Sequence, residues 1–372
     1  MKVSNEAAIP EAELLIACLR GTASAVPRGA DCRLLAMLAE THGVLPLVYR
    51  ALTASGIEVP DKAFRETVLN SQLSSKSLAE ELEHLLAVFA MRGIEVLPLK
   101  GPALAETLYG DVTLRPCVDL DLLVRVGGYH QAEQLLLEEG WEASAPADEY
   151  QRKFMRGESM VELHFGVASP RSFPFDVEGT WNRARNGAFR GQPMKTMSET
   201  DRALYLFLHG LKHGYGRLIW ILDAALALET MPCGPRELIE CAKAQGLEQV
   251  LYISCAMVEE VFPKRLPESL TAVLGDSPRA LQAARASVQR LLAGAAGTGR
   301  DPEIWGFYVQ AETGPAMRWC RRLAFFAPTN EDSRWLNDHR LPHFLAPVMR
   351  PFRLLAKYGL KRAWRTAFPT FH

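Results

Sequence analysis

The sequence predicts an α+β protein in which a small mixed sheet lies between two helical regions. Residues 1–92 and residues 198–372 carry apolar side chains mostly at three- and four-residue steps, the period of an amphipathic helix. Residues 93–197 instead contain short runs of branched apolar residues bounded by glycine, which indicates strands. Hydrophobic residues make up 48% and charged residues 23% of the 372-residue chain, an ordinary globular composition with room for two or three domains.

The bulk charge and the cysteines argue against several classes of protein. The formal net charge is −1, which gives no reason to expect a nucleic-acid partner. The seven cysteines are scattered and form no C-x-x-C pair, which favours reduced thiols in a cytoplasmic protein over a zinc site or a disulfide framework. Neither a signal peptide nor an apolar run long enough to span a membrane is expected from the pattern.

The N-terminal region is expected to be helical. Asp31 is placed to cap one helix, and Pro46 suits the first turn of a second, short one. A longer helix is predicted from Pro60 to Met91, because its apolar residues keep a helical spacing. Gly93 is expected to end it.

The central segment is expected to form a compact α+β unit. Its predicted strands are Ile94–Leu99, Val118–Val126, Trp141–Ala145, Tyr150–Met155 and Met160–Val167, followed by a hairpin over Ala188–Met197 that turns at Gly191 and Gln192. Gly101 and Pro102 open a short helix over Ala103–Tyr109, with the proline in the first turn. A second helix is expected over Tyr129–Glu139, closed by Gly140.

Helices are predicted again after the central segment. Ser198 is placed to cap the first of them, with an acidic residue three positions later. Leu218–Leu228 is nearly all apolar and is expected to be a buried helix. Another helix is expected from Ser277 to Leu292. The glycine-rich stretch Gly294–Gly299 is interpreted as a linker, because it follows no strand and lacks the lysine of a P-loop.

The last residues of the chain, 339–372, form a basic tail. The tail contains no aspartate or glutamate, and its positive residues are Arg340, Arg350, Arg353, Lys357, Lys361, Arg362 and Arg365. Apolar and aromatic residues lie between them, as in a basic amphipathic helix. Such a helix either packs its apolar face on the helical region or makes peripheral contact with an anionic membrane, and both interpretations stay open.

An acidic pair interrupts the predicted strand Val118–Val126. Asp119 and Asp121 are two residues apart, so on a strand both side chains point to the same face. Two carboxylates on an otherwise apolar strand repel each other and lose solvation, which requires a compensating charge. A divalent cation such as magnesium would supply that charge. The alternative is a structural ion pair with Arg115 or Arg125.

Further polar residues extend this pair into a predicted site. Glu162 and His164 share one face of a later strand by the same spacing rule. Lys100 and Gly101 lie at the start of a helix, where free backbone N–H groups and the helix dipole favour an anion. Three carboxylates near such a turn suit two-metal phosphoryl chemistry, with Arg115 adding charge at the phosphates. His164 is expected to orient a carboxylate or the substrate, or to be a hydrogen-bonded structural histidine.

These motifs together resemble a known family. Leu-Lys-Gly before the short helix, Asp-Leu-Asp-Leu-Leu-Val on the next strand and Val-Glu-Leu-His on a later one resemble the uncharacterised nucleotidyltransferase family of the DNA polymerase β-like superfamily. The segments Thr41–Leu47, His209–His213 and Arg217–Asp223 are also similar to that family. The resemblance covers residues 35–230.

The resemblance implies roles for the acidic residues and for the turn before them. Asp119 and Asp121 would be metal ligands, and Glu162 would be the third carboxylate, which binds one metal and can accept the proton of the attacking hydroxyl. The expected cofactor is a pair of magnesium ions, or manganese, with a nucleoside triphosphate as substrate. The superfamily usually has Gly-Ser at the turn, whereas this chain has Lys100 and Gly101 followed by proline, so Lys100 is expected to replace the serine hydroxyl as a point charge.

The helix after the central segment is expected to contribute to the same cleft. Lys212, His213 and Arg217, with His209, would contact phosphates or the substrate. The alternative is an ordinary helix surface with Asp223 as a structural residue. His209 and His213 are four residues apart, but they lack the third ligand and the glutamate of a zinc motif, which argues against zinc.

The expected function is therefore metal-dependent transfer of a nucleoside monophosphate from a nucleoside triphosphate to an acceptor hydroxyl. The acceptor is expected to be a small molecule, a peptide or a glycan of a biosynthetic pathway. Long nucleic acid is not expected, because outside the tail there is no basic excess and no aromatic stacking pattern. Two alternatives are a non-catalytic nucleotide-binding or regulatory module and a scaffold protein.

Overall fold

The computed structural model describes most of residues 9–293 and a few residues near the C-terminus. The gaps within 9–293 are 28, 58–61, 145–146, 169–172, 174, 232–233, 264–265 and 275–277, and the described residues beyond are 332, 335–336, 339, 341–350 and 352–353. The predicted linker Gly294–Gly299 and most of the basic tail lie outside the described residues.

The N-terminal region consists of helices, as predicted. The helices are α1 (Pro10–Arg20), α2 (Cys32–Thr41), α3 (Leu45–Ala54) and α4 (Lys62–Met91). Asp31 caps α2, since its side chain accepts hydrogen bonds from the backbone N–H groups of Arg33 and Leu34. Pro46 lies in the first turn of α3, where its missing N–H costs nothing.

The central segment forms a five-stranded mixed sheet with helices around it. Its strands are β1 (Leu97–Pro98), β2 (Leu120–Leu123), β3 (Glu142–Ala143), β4 (Gln151–Arg156) and β5 (Ser159–His164), and its helices are α5 (Pro102–Tyr109), α6 (Tyr129–Glu138) and α7 (Val177–Arg183). The strand order is β1-β2-β5-β4-β3, with β2 and β5 parallel and the other pairs antiparallel. The mixed α+β architecture expected from the sequence is confirmed.

A separate hairpin follows the sheet, formed by β6 (Arg185–Phe189) and β7 (Gln192–Thr196). The predicted turn at Gly191 and Gln192 is wrong by one residue, because Phe189 pairs with Gln192 and the turn residues are Arg190 and Gly191. Both have positive φ, 49° and 84°, as a two-residue turn matching the strand twist requires. The hairpin lies against the sheet edge, where the Lys195 N–H donates to the Val96 carbonyl oxygen at 2.8 Å.

The two faces of the sheet pack against different helices. On one face, Leu120, Leu122 and Leu163 join a hydrophobic cluster with residues of α4 and α6. On the other face, Leu99 and Leu123 join the larger cluster that contains the C-terminal helices. This separation follows from the two-residue alternation of side chains along each strand. The polar residues on β2 and β5 must therefore lie between the sheet and the C-terminal helices.

The region after the hairpin is helical, as predicted. Its helices are α8 (Glu199–Lys212), α9 (Leu218–Glu229), α10 (Pro235–Ala244), α11 (Glu248–Val261), α12 (Glu268–Leu274) and α13 (Pro278–Leu292). Ser198 caps α8 by accepting a hydrogen bond from the Asp201 N–H. Within the described part of the chain, no helix is both long enough and apolar enough to cross a membrane.

The turn between α8 and α9 depends on close packing at one glycine. A Cβ atom at Gly210 would lie 2.3 Å from the ring of Tyr215, which is closer than two carbon atoms can approach. The Tyr215 hydroxyl lies 2.6 Å from the Ser254 hydroxyl on α11, so the ring is fixed at both ends. The start of α9 is thereby held beside the last turns of α8.

Part of the basic tail is described, and its charges are used inside the protein. Arg350 and Arg353 both form salt bridges with the buried carboxylate of Asp332, the second at 2.5 Å. These two arginines therefore support the interpretation in which the tail packs on the helical region. Peripheral membrane contact by the remaining basic residues stays a prediction, because those residues lie outside the described part.

Candidate functional site

The sheet register brings the predicted site residues together. On the parallel strands β2 and β5, Asp121 lies opposite Glu162 and Leu123 lies opposite His164. Paired residues on neighbouring strands project from the same face, so both carboxylates and the imidazole share it. One ligand atom from each of Asp121, Glu162 and His164 lies within 4.8 Å of the others. Among the residues that the structure describes, these three form the one group in which at least three side chains of metal-binding types lie this close together.

Asp119 directly precedes β2 and joins the group through Lys100. The Lys100 ammonium lies 3.2 Å from Asp119 Oδ1 and also contacts Asp121 Oδ2. The two aspartates therefore face the same side, as their spacing predicted. Lys100 therefore supplies their counter-charge. Arg125, one of the two arginines considered as an alternative, instead pairs with Glu178 at 3.2 Å.

The position of Lys100 depends on the glycine that follows it. Gly101 has φ 72° and ψ −147°, a backbone conformation that residues with a Cβ avoid. A Cβ there would lie 3.5 Å from the Asp119 carbonyl oxygen, which is an ordinary contact, so the backbone conformation is what favours glycine. Helix α5 begins at the next residue, Pro102, and the first turn of a helix has backbone N–H groups without intrahelical partners. The positive end of α5 thus starts next to the acidic residues.

The charges of Lys100 and the two aspartates control one another. Burial acts to lower the pKa of Lys100, but the charges of Asp121 and Asp119 outweigh it and raise that pKa, so the ammonium stays protonated. Burial acts to raise the pKa of Asp121, but Lys100 and His164 hold it well below its usual range. Burial and the charge of Asp121 raise the pKa of Asp119.

A lysine that sequence analysis missed lies against Glu162. Lys153 on β4 is paired in register with Glu162, and its Nζ lies 2.5 Å from Glu162 Oε1. Burial acts to raise the pKa of Glu162, but hydrogen bonds from His164 and Lys153 lower it to about 2. Glu162 is therefore ionised at neutral pH, which suits a cation ligand, and it is a weak base.

His164 connects the two carboxylates. Its Nε2 lies 3.1 Å from Asp121 Oδ1 and 3.5 Å from Glu162 Oε2, and its Nδ1 lies 3.2 Å from the Gly166 carbonyl oxygen. Burial acts to lower the pKa of His164, but the hydrogen bonds to Asp121 and Glu162 raise it. A backbone acceptor at one ring nitrogen turns the other towards the carboxylates, an arrangement common around metal sites.

The residues present fit a divalent cation. Asp121 Oδ2 is buried and accepts no hydrogen bond of normal geometry within the described structure, although Lys100 lies against it. A buried carboxylate oxygen of this kind is available as a ligand. The carboxylate oxygens of Asp121 and Glu162 are donors for magnesium or manganese, because oxygen ligands select hard cations, and His164 orients both carboxylates.

Arg115 is bound by a buried aspartate of α9, which argues against the expectation that its guanidinium contacts phosphates. Its guanidinium binds both oxygens of Asp223 on α9, with Nε and Nη2 at 2.9 and 2.7 Å. The Tyr109 hydroxyl donates a further hydrogen bond to Asp223 at 2.7 Å. Arg115 is 4% exposed and Asp223 is 1% exposed. A guanidinium buried in this way has a structural role, as the alternative interpretation proposed for Asp223.

Helix α8 covers the acidic residues with two buried side chains. Burial raises the pKa of Tyr205 well above its usual range, and the charge of Asp121 adds to the effect. Burial lowers the pKa of His209 well below its usual range, and the charge of Lys100 adds to the effect. Both groups are therefore neutral at physiological pH. Sequence analysis did not assign Tyr205 to the site; the one available signal was its position one turn before His209.

Lys212 lies at the end of β5, close to His164. Its ammonium is 3.4 Å from the Val167 carbonyl oxygen and 5.0 Å from the ring centre of Tyr150. The Tyr150 ring in turn stacks on His164 with 6.2 Å between ring centres. The predicted proximity of Lys212 to the acidic residues is therefore consistent with these contacts.

His213 and Arg217 lie on an aromatic cluster at the protein surface. His213 stacks on Trp220 with 5.0 Å between ring centres, and the Arg217 guanidinium lies 5.7 Å from the Trp220 ring. His209 contacts both rings, at 4.7 Å from His213 and 5.7 Å from Trp220. This cluster of His209, His213, Arg217 and Trp220, the α8–α9 cluster, extends from the buried site to exposed side chains.

A buried histidine beside this cluster predicts acid sensitivity. Burial lowers the pKa of His42 from 6.5 to about 4, and the charge of Arg217 adds to the effect. Between pH 6.5 and pH 4, His42 is therefore protonated in the unfolded chain but mostly neutral in the folded protein, so stability falls as the pH falls through this range. We expect this group to cost about 3 kcal/mol of unfolding free energy over that window.

Urea unfolding at pH 7 and pH 4 tests the role of His42. The loss of stability on acidification is expected to be smaller in His42→Gln by about 3 kcal/mol. His130→Gln is the matched control, because His130 is exposed on α6. An equal loss in His42→Gln and in the wild type would contradict the assignment.

A family model agrees with the resemblance seen in the sequence. The model of a family described as uncharacterised nucleotidyltransferase matches residues 28–263. No curated protein matches the chain. A crystal structure of ANT(2'')-Ia in complex with adenylyl-2''-tobramycin is 16% identical, covers 46% of this chain and 97% of its own, and has a TM-score of 0.35. A crystal structure of an antigenic nucleotidyltransferase-like protein from Paracoccidioides brasiliensis is 20% identical, covers 54% and 94%, and has a TM-score of 0.38.

Proposed function

The chain belongs to the uncharacterised nucleotidyltransferase family, and on that premise we propose that it transfers a nucleoside monophosphate from a nucleoside triphosphate to an acceptor hydroxyl. The observation that carries the proposal is the register of β2 and β5, which places Asp121 beside Glu162 on the face covered by α8. In the reaction, the acceptor oxygen forms a bond to the α-phosphorus. The bond from that phosphorus to the β-phosphate oxygen breaks, and pyrophosphate leaves.

The three carboxylates Asp119, Asp121 and Glu162 would hold two magnesium ions, or manganese. Such ions neutralise the charge that develops on the transferring phosphate and on the leaving group. The low pKa of Glu162 favours its role as a ligand. The proton of the acceptor hydroxyl then passes to a carboxylate of the site or to water.

The turn at Lys100 and Gly101 is assigned to the triphosphate. Lys100 is a protonated ammonium at the start of α5, where the helix dipole also favours an anion. Its contacts with Asp119 and Asp121 keep it within reach of any phosphate bound at those carboxylates. Arg115 is not included, because Asp223 occupies its guanidinium.

The α8–α9 cluster, with Lys212, is assigned to the outer part of the substrate. Lys212 and Arg217 are cations, and His213 with Trp220 forms a stacked aromatic surface that suits a nucleobase or a phosphate-bearing group. The acceptor is a small molecule, a peptide or a glycan. His164 positions Asp121 and Glu162 through its hydrogen bonds to both.

A non-catalytic nucleotide-binding protein is the second candidate. The observation that favours it is that Lys100 is engaged by Asp119 and Asp121, while the turn at residues 100–102 has no hydroxyl to hold a phosphate. A scaffold protein without nucleotide binding is the third candidate.

One experiment separates the three candidates. The melting temperature is measured with each of the four common nucleoside triphosphates and magnesium, and pyrophosphate release is then measured for the nucleotides that raise it. The proposed enzyme shows both a thermal shift and pyrophosphate release. Without an added acceptor, water can take the acceptor's place, so slow release of pyrophosphate also counts. A shift without pyrophosphate identifies a binding module, and the absence of any shift identifies a scaffold.

A further inference from the structure

A cavity of about 270 Å³ lies next to the candidate site, between β1, α5, the β6–β7 hairpin and the first turn of α8. Leu99 lines it, and the Leu99 N–H donates to the Asp121 carbonyl oxygen at 2.9 Å. Leu97 pairs with Leu123 on the face that carries Asp121, and Leu99 shares that face two residues later. The cavity therefore adjoins the acidic residues across one strand spacing, and its size suits a small chemical group.

The cavity is lined by more positive than negative side chains. Arg185, Lys195 and Arg202 are the cations, and Glu199 is the acid. Arg185 is balanced by Glu199 at 3.0 Å, and Lys195 is balanced by Glu95 at 3.0 Å. Within the described part of the chain, Arg202 has no carboxylate within salt-bridge distance, which leaves an excess positive charge at the cavity wall.

The Arg202 guanidinium is poorly compensated inside the protein. Its Nε is buried and has no hydrogen-bond partner among the described residues. Burial lowers the pKa of Arg202, and the charge of Glu199 offsets this only in part. Arg202 is partly buried, and a buried donor atom without a partner is costly, because nothing replaces the hydrogen bond that it made to water. An anion bound in the cavity would accept a hydrogen bond from this nitrogen and balance the positive charge.

We propose that this cavity binds a carboxylate or phosphate group of the acceptor, with Arg202 as its main ligand. The proposal rests on the proposed function and names the chemical class of its acceptor. A guanidinium binds either group through two parallel hydrogen bonds. Arg202 lies one turn before Tyr205 on α8, so the anchored acceptor extends from the cavity towards Asp121. A cationic acceptor is repelled by the same charge.

Binding of simple anions to the metal-free, nucleotide-free protein tests the proposal. Inorganic phosphate, pyrophosphate and succinate are titrated by calorimetry at low ionic strength in the presence of a chelator. At least one of phosphate and succinate is expected to bind, and Arg202→Gln is expected to weaken that binding at least about tenfold. Arg236→Gln is the matched control, because it removes the same charge from an exposed position on α10.

The variants and the anions separate the outcomes. Arg202→Gln is also expected to melt no lower than the wild type without anion, because it removes a partly buried charge that has no carboxylate partner among the described residues. If Arg202→Gln does not fold, Arg202→Lys, which keeps the charge but loses the two-pronged geometry, is expected to weaken binding instead. Binding of pyrophosphate alone would assign the cavity to the nucleotide and overturn the proposal, as would unchanged binding in the Arg202 variants. The titration contains no nucleotide, so its result does not depend on catalysis. If the protein binds succinate but releases no pyrophosphate in the separate nucleotide assay, the proposed enzymatic function fails and the proposed anion site stands.

Discussion

Asp121→Asn is expected to lower the rate of pyrophosphate release at least about a hundredfold, since the loss of a cation ligand removes several kcal/mol of charge stabilisation. The neutral amide would also leave Lys100 and His164 facing a reduced negative charge. The rate is measured with magnesium and the nucleotide that gives the largest thermal shift. Circular dichroism verifies that the variant is folded.

Asp111→Asn is the matched control for this variant. Asp111 is an exposed aspartate in the same segment, and its Oδ1 accepts hydrogen bonds from Thr113 that asparagine can also accept. The control is expected to keep the wild-type rate. Equal rates in Asp121→Asn and the wild type would remove the β2–β5 carboxylates from the reaction.

Arg115→Met is expected to lower the free energy of unfolding by about 3–5 kcal/mol, the cost of leaving one partner of a buried ion pair without the other. The pair joins the segment before β2 to α9, and Asp223 would be left buried with only the Tyr109 hydroxyl. Urea denaturation measures the change. The double variant Arg115→Met/Asp223→Leu is expected to recover much of the loss, because no buried charge remains.

The same variant distinguishes a structural role from contact with phosphates. A structural Arg115 changes stability and leaves nucleotide affinity of the folded protein unchanged. Unchanged stability combined with weaker nucleotide binding would restore the role at the phosphates that the sequence first suggested.

The acidic residues were predictable because their arrangement is local. A two-residue spacing on a strand fixes which side chains share a face, and the spacing holds for Asp119 with Asp121 and for Glu162 with His164. The turn at Lys100 was predictable for a similar reason, because a glycine followed by a proline marks the start of a helix. Local rules of this kind do not depend on how distant segments meet.

The contacts that sequence analysis missed depend on distant segments. Lys153 reaches Glu162 only because β4 pairs with β5 in one register, and a shift by one residue would turn it to the other face. Arg115 and Asp223 are 108 residues apart, so nothing near Arg115 shows that its charge is already used. The cavity beside Arg202 likewise forms where β1 and α5 meet the β6–β7 hairpin and α8, about 80 residues further along the chain.

Most of the predicted strands were longer than the observed ones for a related reason. Val118–Val126 is apolar except for Asp119, Asp121 and Arg125, but strand β2 is Leu120–Leu123, because these are the residues that pair in register with β1 and β5. Beyond them the chain turns into a short 3₁₀ helix at Val126. Apolar character indicates burial, and the length of a strand is decided by the neighbours it pairs with.

The fate of the nucleotide phosphates tests the central claim most directly. Two reactions are compared with magnesium and a protein-free metabolite extract as the source of acceptors, one with the triphosphate labelled at the α-phosphate and one with it labelled at the γ-phosphate. We predict that the α label appears in the acceptor product or in nucleoside monophosphate, and that the γ label appears in pyrophosphate. Transfer of the γ label to an acceptor, or its release as orthophosphate, would contradict the account.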